Sequence, residues 1–140
     1  MGITARLGRH ARGVRLNVTP LGPLEWLGAF LAVVTGLIHV YLFLRTGFLP
    51  FLLAGAGFFG GVGLLFTAFP RRLLYAMGVP YLGVQIVLWV LTGMGSFALG
   101  VFDKTVQTLL VGLLVALLLI ELEIDLIEEV STVWDDRDEE

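Results

Sequence analysis

The sequence contains no cysteine. Disulfides, thiolate metal sites and cysteine nucleophiles are excluded at once. Charge is scarce as well: Asp, Glu, Lys and Arg make up 15% of the 140 residues, against about 25% in an average soluble domain. A soluble domain of this length must cover a large surface with polar groups, so the shortage excludes an ordinary soluble enzyme. A disordered chain is excluded for the opposite reason, because 57% of the residues are hydrophobic and disorder requires low hydrophobicity. The chain also lacks GxSxG, HExxH, a Walker loop and a GxGxxG in a strand–helix context. No catalytic residue, metal site or cofactor is therefore assigned.

What the chain does have is apolar length. Its mean hydropathy is +0.91, the composition of a small integral membrane protein. The charges it keeps are pushed to the ends. Arg6, Arg9, Arg12 and Arg15 stand in a head without acids, and ten of the 12 acidic residues fall in 121–140. Between them the only charges are Glu25, Arg45, Arg71, Arg72, Asp103 and Lys104.

The body resolves into four apolar stretches, at about 24–44, 48–69, 73–93 and 105–120. Each is near the roughly 20 residues that a membrane helix needs. Runs such as Leu109 to Ile120 lack the alternation of a barrel strand, and backbone amides in lipid must be paired internally. The expected fold is therefore all-α: a four-helix integral membrane bundle over 21–120 with short loops. Gly93-Met94-Gly95-Ser96 reads as a turn, and Asp103 reads as the cap of the fourth helix. Residues 1–20 form a basic head expected to be disordered. The fourth helix is expected to extend into an acidic amphipathic segment within 121–140.

Arginine and lysine in short loops set orientation. Four stand in the head and two in the second loop, against Arg45 in the first loop and Lys104 in the third. The expected location is the cell membrane, multi-pass, with both termini cytoplasmic.

Small residues recur at four-residue spacing: Gly28, Ala32 and Gly36 on the first helix, Gly57 and Gly61 on the second, Gly112 and Ala116 on the fourth. Such grooves let helix backbones approach closely in lipid. They serve packing within one chain or a seam between copies.

Polar residues within the spans are few, and those at membrane depth are functional candidates. Thr35, His39, Gln85 and Gln107 are expected to converge in the outer half of the bundle. His39 alone cannot form a zinc site, which takes three or four ligands. A haem would need a second ligand, either His39 of another copy or Met94. The cluster is either a hydrogen-bonded core group or the centre of a redox or transport function for a quinone, haem or small solute, in an oligomer.

The termini are the readable partner surfaces. The four head arginines suit anionic lipid. Nucleic acid is not an expected partner, because the head has no aromatic side chain for stacking. In the tail, Glu121, Asp125, Glu128 and Glu129 share one face at helical spacing, and Leu122, Leu126 and Val130 with Ile120, Ile124 and Ile127 form the other. The leading expectation is an accessory, packing or docking component that meets the bilayer and a membrane-protein partner or a second copy.

The segment Leu27 to Phe43, LGAFLAVVTGLIHVYLF, with its TGLIHVYL centre, resembles small four-span membrane proteins of unknown function from haloarchaea. The glycine-rich second stretch, the Arg71-Arg72 loop and the acidic end agree with this, over about residues 20–125. The resemblance implies a four-helix membrane fold and supplies no activity. Eight arginines against one lysine and an acidic tail suit the same kind of source.

Overall fold

The computed structural model describes residues 20–138, with side chains as far as residue 134. The head arginines Arg6, Arg9, Arg12 and Arg15 lie outside the described residues. Among the described residues the architecture is all-α, with four helices: α1 (Pro23–Thr46), α2 (Leu49–Leu65), α3 (Arg71–Leu91) and α4 (Phe97–Asp138).

Local chemistry sets the boundaries. Pro23 opens α1 at the first helical position, where a missing N–H costs nothing. Gly47 closes it with φ 69°, its amide donating to the Phe43 carbonyl at 2.7 Å, a left-handed cap that glycine adopts without strain. α2 ends at Leu65, four residues short of the stretch read from sequence. There the Thr67 hydroxyl donates to the Leu64 carbonyl at 2.8 Å and accepts the Phe69 amide at 3.2 Å. These local bonds replace the next helical turn.

α4 departs most from expectation. It begins at Phe97 rather than near residue 105, directly after a turn in which Gly93, Met94 and Ser96 all have positive φ. Asp103 is thus not a cap. It lies inside the helix, 2% exposed. The expected amphipathic tail is helical and continuous with the fourth helix, giving 42 residues in one element.

Around the bundle the order is α2, α1, α4, α3. α1 packs on α2 and α4, α3 packs on α4, and α2 and α3 approach each other least. Glycine permits the tightest contact, between α1 and α2. A Cβ on Gly55 would stand 3.1 Å from Val40 Cγ2 and 3.2 Å from the Gly36 carbonyl oxygen. One on Gly36 would stand 3.2 Å from Phe58 and Phe59. Gly28 faces Leu113 and Leu110 of α4, and Ala32 packs on the core of Phe58, Leu82 and Leu110. Gly57 makes room for the Tyr81 ring of α3. Gly61, Gly112 and Ala116 stand outside these contacts. A Cβ on Gly61 or Gly112 would meet nothing within 4 Å among the described residues, and Ala116 is exposed.

Polarity is inverted relative to a water-soluble bundle. Thr35 and Gln107 are 0% exposed, whereas Leu44 and Leu91 are 75% and 76% exposed. α1 and α3 are long and apolar enough to cross a membrane, and α2 is apolar but shorter.

Candidate functional site

The buried polar groups gather at one place, where α1, α3 and α4 meet. Thr35 lies mid-way along α1, and His39 one turn further on. Gln85 lies on α3, about 9 Å before its end at 1.5 Å per residue. Asp103 and Gln107, four residues apart, occupy one face of α4.

Asp103 is the hub. Its Oδ1 accepts the Thr35 hydroxyl, and its Oδ2 accepts Lys104 Nζ at 2.9 Å and Gln107 Nε2 at 3.0 Å. His39 Nδ1 stands 3.9 Å from Oδ1. A carboxylate with three donors, one of them a cation, is compensated for its removal from water. Lys104 Nζ also reaches Gln107 Oε1 at 3.2 Å. The Gln107 amide group further approaches Thr35 Oγ1 at 3.2 Å and Gln85 Oε1 at 3.3 Å. Gln85 in turn donates to the Tyr81 carbonyl at 3.3 Å.

His39 is 4% exposed and sits between the rings of Phe51 and Phe58, with centroids 6.1 and 5.5 Å away. Its Nδ1 lies 2.8 Å from the Thr35 carbonyl oxygen. A carbonyl only accepts, so Nδ1 carries the proton in this contact.

All four residues expected to converge, Thr35, His39, Gln85 and Gln107, therefore belong to one network. Within it His39 pairs with Thr35 and not with Gln85. Among the described residues His39 and Gln85 share no hydrogen bond and are linked through Thr35 and Gln107. Sequence reasoning missed the hub, Asp103, and its partner Lys104. The signals were an acid in an apolar setting and its four-residue spacing from Gln107. The apolar run Phe97 to Phe102, which lets the helix start early, was read as loop.

The network does not have the make-up of a metal centre: among the described residues no three of His, Cys, Asp and Glu come together. Met94, the other haem ligand considered within the chain, lies in the turn between α3 and α4 and is 42% exposed. Chemically the arrangement is a charge-compensated group: a carboxylate and an ammonium held together, with a hydroxyl, an amide and an imidazole around them.

At the opposite end of the bundle two ion pairs cross between helices. Arg71 Nη1 meets Glu25 Oε1 at 3.3 Å, half-buried, and Arg72 Nη1 meets Asp125 Oδ2 at 2.6 Å, exposed.

The described residues form a four-helix, all-α bundle with many large apolar side chains exposed and a buried polar hub. Comparison with protein-family models, with curated proteins and with solved structures finds no match.

Proposed function

We propose that the chain is a multi-pass protein of the cell membrane, with both termini cytoplasmic, acting as an accessory or docking component rather than an enzyme. The inverted polarity of the bundle supports the membrane part of this reading. Large apolar side chains such as Leu44 and Leu91 face outward while His39 and Asp103 are buried, as lipid as solvent demands. The resemblance of Leu27 to Phe43 to small four-span haloarchaeal membrane proteins agrees with it.

One observation carries the docking part: α4 outruns the bundle. At 1.5 Å per residue its 42 residues extend about 63 Å, roughly twice the thickness of a hydrocarbon core. Residues 122–134 are all exposed. Leu122, Leu126 and Val130 lie along one side of this arm, 42%, 62% and 54% exposed. Asp125 and Glu128 lie along the other. Such an apolar row at a helix surface marks an interaction site. Amide hydrogen exchange over residues 120–132 in native membranes tests the reading. Slow exchange in the wild type that is lost in Leu126→Glu supports docking; equal exchange in both overturns it.

A second reading rests on the buried Asp103. A carboxylate, an ammonium group and an imidazole within reach of one another, in the outer half of the bundle, are the parts of a proton or small-cation transfer site. On this reading the protein serves redox or transport chemistry centred on His39 and Gln85, with Asp103 as the charged group beside them. Proteoliposomes separate the two. A proton or cation flux abolished by Asp103→Asn in a folded protein supports transfer, and the absence of flux in the wild type leaves docking as the function.

A further inference from the structure

Away from the polar hub, α2 and α3 diverge and leave a cleft of about 360 Å³ between their facing halves. This is within the range of ligand clefts, about 300–1,000 Å³. α1 and α4 form its floor through Ala29, Leu110 and Leu114. Three of the seven α2 residues that line it, Gly57, Gly60 and Gly61, have no side chain, which leaves the slot open between Phe58 and Leu64. At one end the cleft is roofed. Tyr81 stacks edge-on against Phe58 with centroids 5.4 Å apart, and its hydroxyl donates to the Ala54 carbonyl at 2.7 Å. At the other end stands the Glu25–Arg71 ion pair. From Arg71 to Tyr81 the helix rises about 15 Å, half of a hydrocarbon core of about 30 Å.

Within this apolar cleft one polar atom is unanswered. Tyr75 is 2% exposed and lines the cleft, and its hydroxyl is buried without a hydrogen-bond partner among the described residues. Buried hydroxyls are nearly always paired, and an orphan needs an explanation. Tyr75 lies one helical turn from Arg71, on the same face of α3. An ion pair at the mouth, with Glu25 lining the cleft and Arg71 beside it, an unpaired donor one turn in and an apolar slot beyond it match a phospholipid in order: headgroup phosphate, linkage oxygen, chain.

We propose that the cleft between α2 and α3 binds one chain of a cytoplasmic-leaflet phospholipid, whose linkage oxygen accepts the Tyr75 hydroxyl and whose phosphate lies beside Arg71. The inference rests on the membrane reading above. Under that topology the cleft opens sideways into the inner leaflet, and its depth is that of one leaflet. The Tyr81 roof stops the chain at mid-membrane.

The test uses the full chain in vesicles of phosphatidylcholine and phosphatidylglycerol, with a photoreactive diazirine in the middle of one phosphatidylglycerol chain. Cross-linked peptides are mapped, and α1 and α3 peptides with exposed side chains such as Leu44 and Leu91 report ordinary contact with surrounding lipid. Cross-links should concentrate on the walls of the cleft, at one lipid per chain. Gly61→Trp, which fills the slot, should reduce cleft cross-linking at least tenfold. The milder Tyr75→Phe should reduce it about fivefold, the weight of one hydrogen bond. Uniform labelling of all apolar faces, or cleft labelling unchanged by Tyr75→Phe in a folded protein, overturns the proposal. So does a cleft protected in a dimer, which would mean that a second copy fills it. Failure of the membrane reading looks different, since no peptide would then be labelled at all.

Discussion

The Thr35 hydroxyl on α1 donates to the Asp103 carboxylate on α4, 68 positions further along the chain. This bond joins two helices that α2 and α3 separate in sequence. In an otherwise apolar bundle it ties the rotation of one helix to that of the other, because turning either one would take the α1 donor away from a buried carboxylate whose other donors, Lys104 and Gln107, lie on α4 itself.

Breaking the hub from one side should therefore cost more than removing both charges. Asp103→Ala leaves Lys104 largely buried without its carboxylate, and a loss of about 3–5 kcal/mol is expected. Asp103→Asn combined with Lys104→Gln should recover at least half of that. Thr35→Val should fall between the wild type and Asp103→Ala. Reversible unfolding in mild detergent checks the order; a double variant less stable than Asp103→Ala would contradict it.

Glycines should divide by what surrounds them. Gly55→Ala pushes a methyl group against Val40 and the Gly36 carbonyl, and overpacking of about 1–3 kcal/mol is expected. Gly112→Ala adds a methyl group in open space on a helix and should stabilise by about 0.5–1 kcal/mol. Melting temperatures of the two variants should move in opposite directions from the wild type.

The exposed ion pair and the basic head should contribute little to the fold. Arg72 and Asp125 are 57% and 48% exposed, and exposed pairs are worth about 0–1 kcal/mol. Near-molar salt shortens the screening length to about 3 Å. Deletion of residues 1–18, or Asp125→Asn, should leave the midpoint of unfolding nearly unchanged in high salt. A loss of several kcal/mol from either would mean that the head or the pair is built into the bundle.

Helix count, helix type and the gathering of Thr35, His39, Gln85 and Gln107 were legible in the sequence. Long apolar runs, capped by Pro23 and broken at Gly47 and Gly93, leave few alternatives, and polar groups in such runs have to find one another. The start of α4 was not legible. A charged pair such as Asp103-Lys104 marks a loop in most membrane chains, and only partners from α1 and α3 make its burial tolerable. Those partners are tertiary, so no local pattern announces them. Pairing within the cluster was legible only in part: the contact of His39 with the Thr35 carbonyl lies one turn away on its own helix, whereas Gln107 takes Gln85 across helices. The glycine patterns were equally ambiguous. Gly36 and Gly57 face a neighbouring helix whereas Gly61 borders a cleft, and spacing alone does not distinguish them.

Topology is the claim on which the rest depends, and single cysteines report it most directly in a chain that has none of its own. Cysteine placed at Thr4, Ser96 or Ser131 is treated in intact cells with an impermeant maleimide. The account predicts labelling at Ser96, in the turn between α3 and α4, and protection at Thr4 and Ser131 until the cells are opened. Labelling of Thr4 or Ser131 in intact cells with Ser96 protected would contradict it.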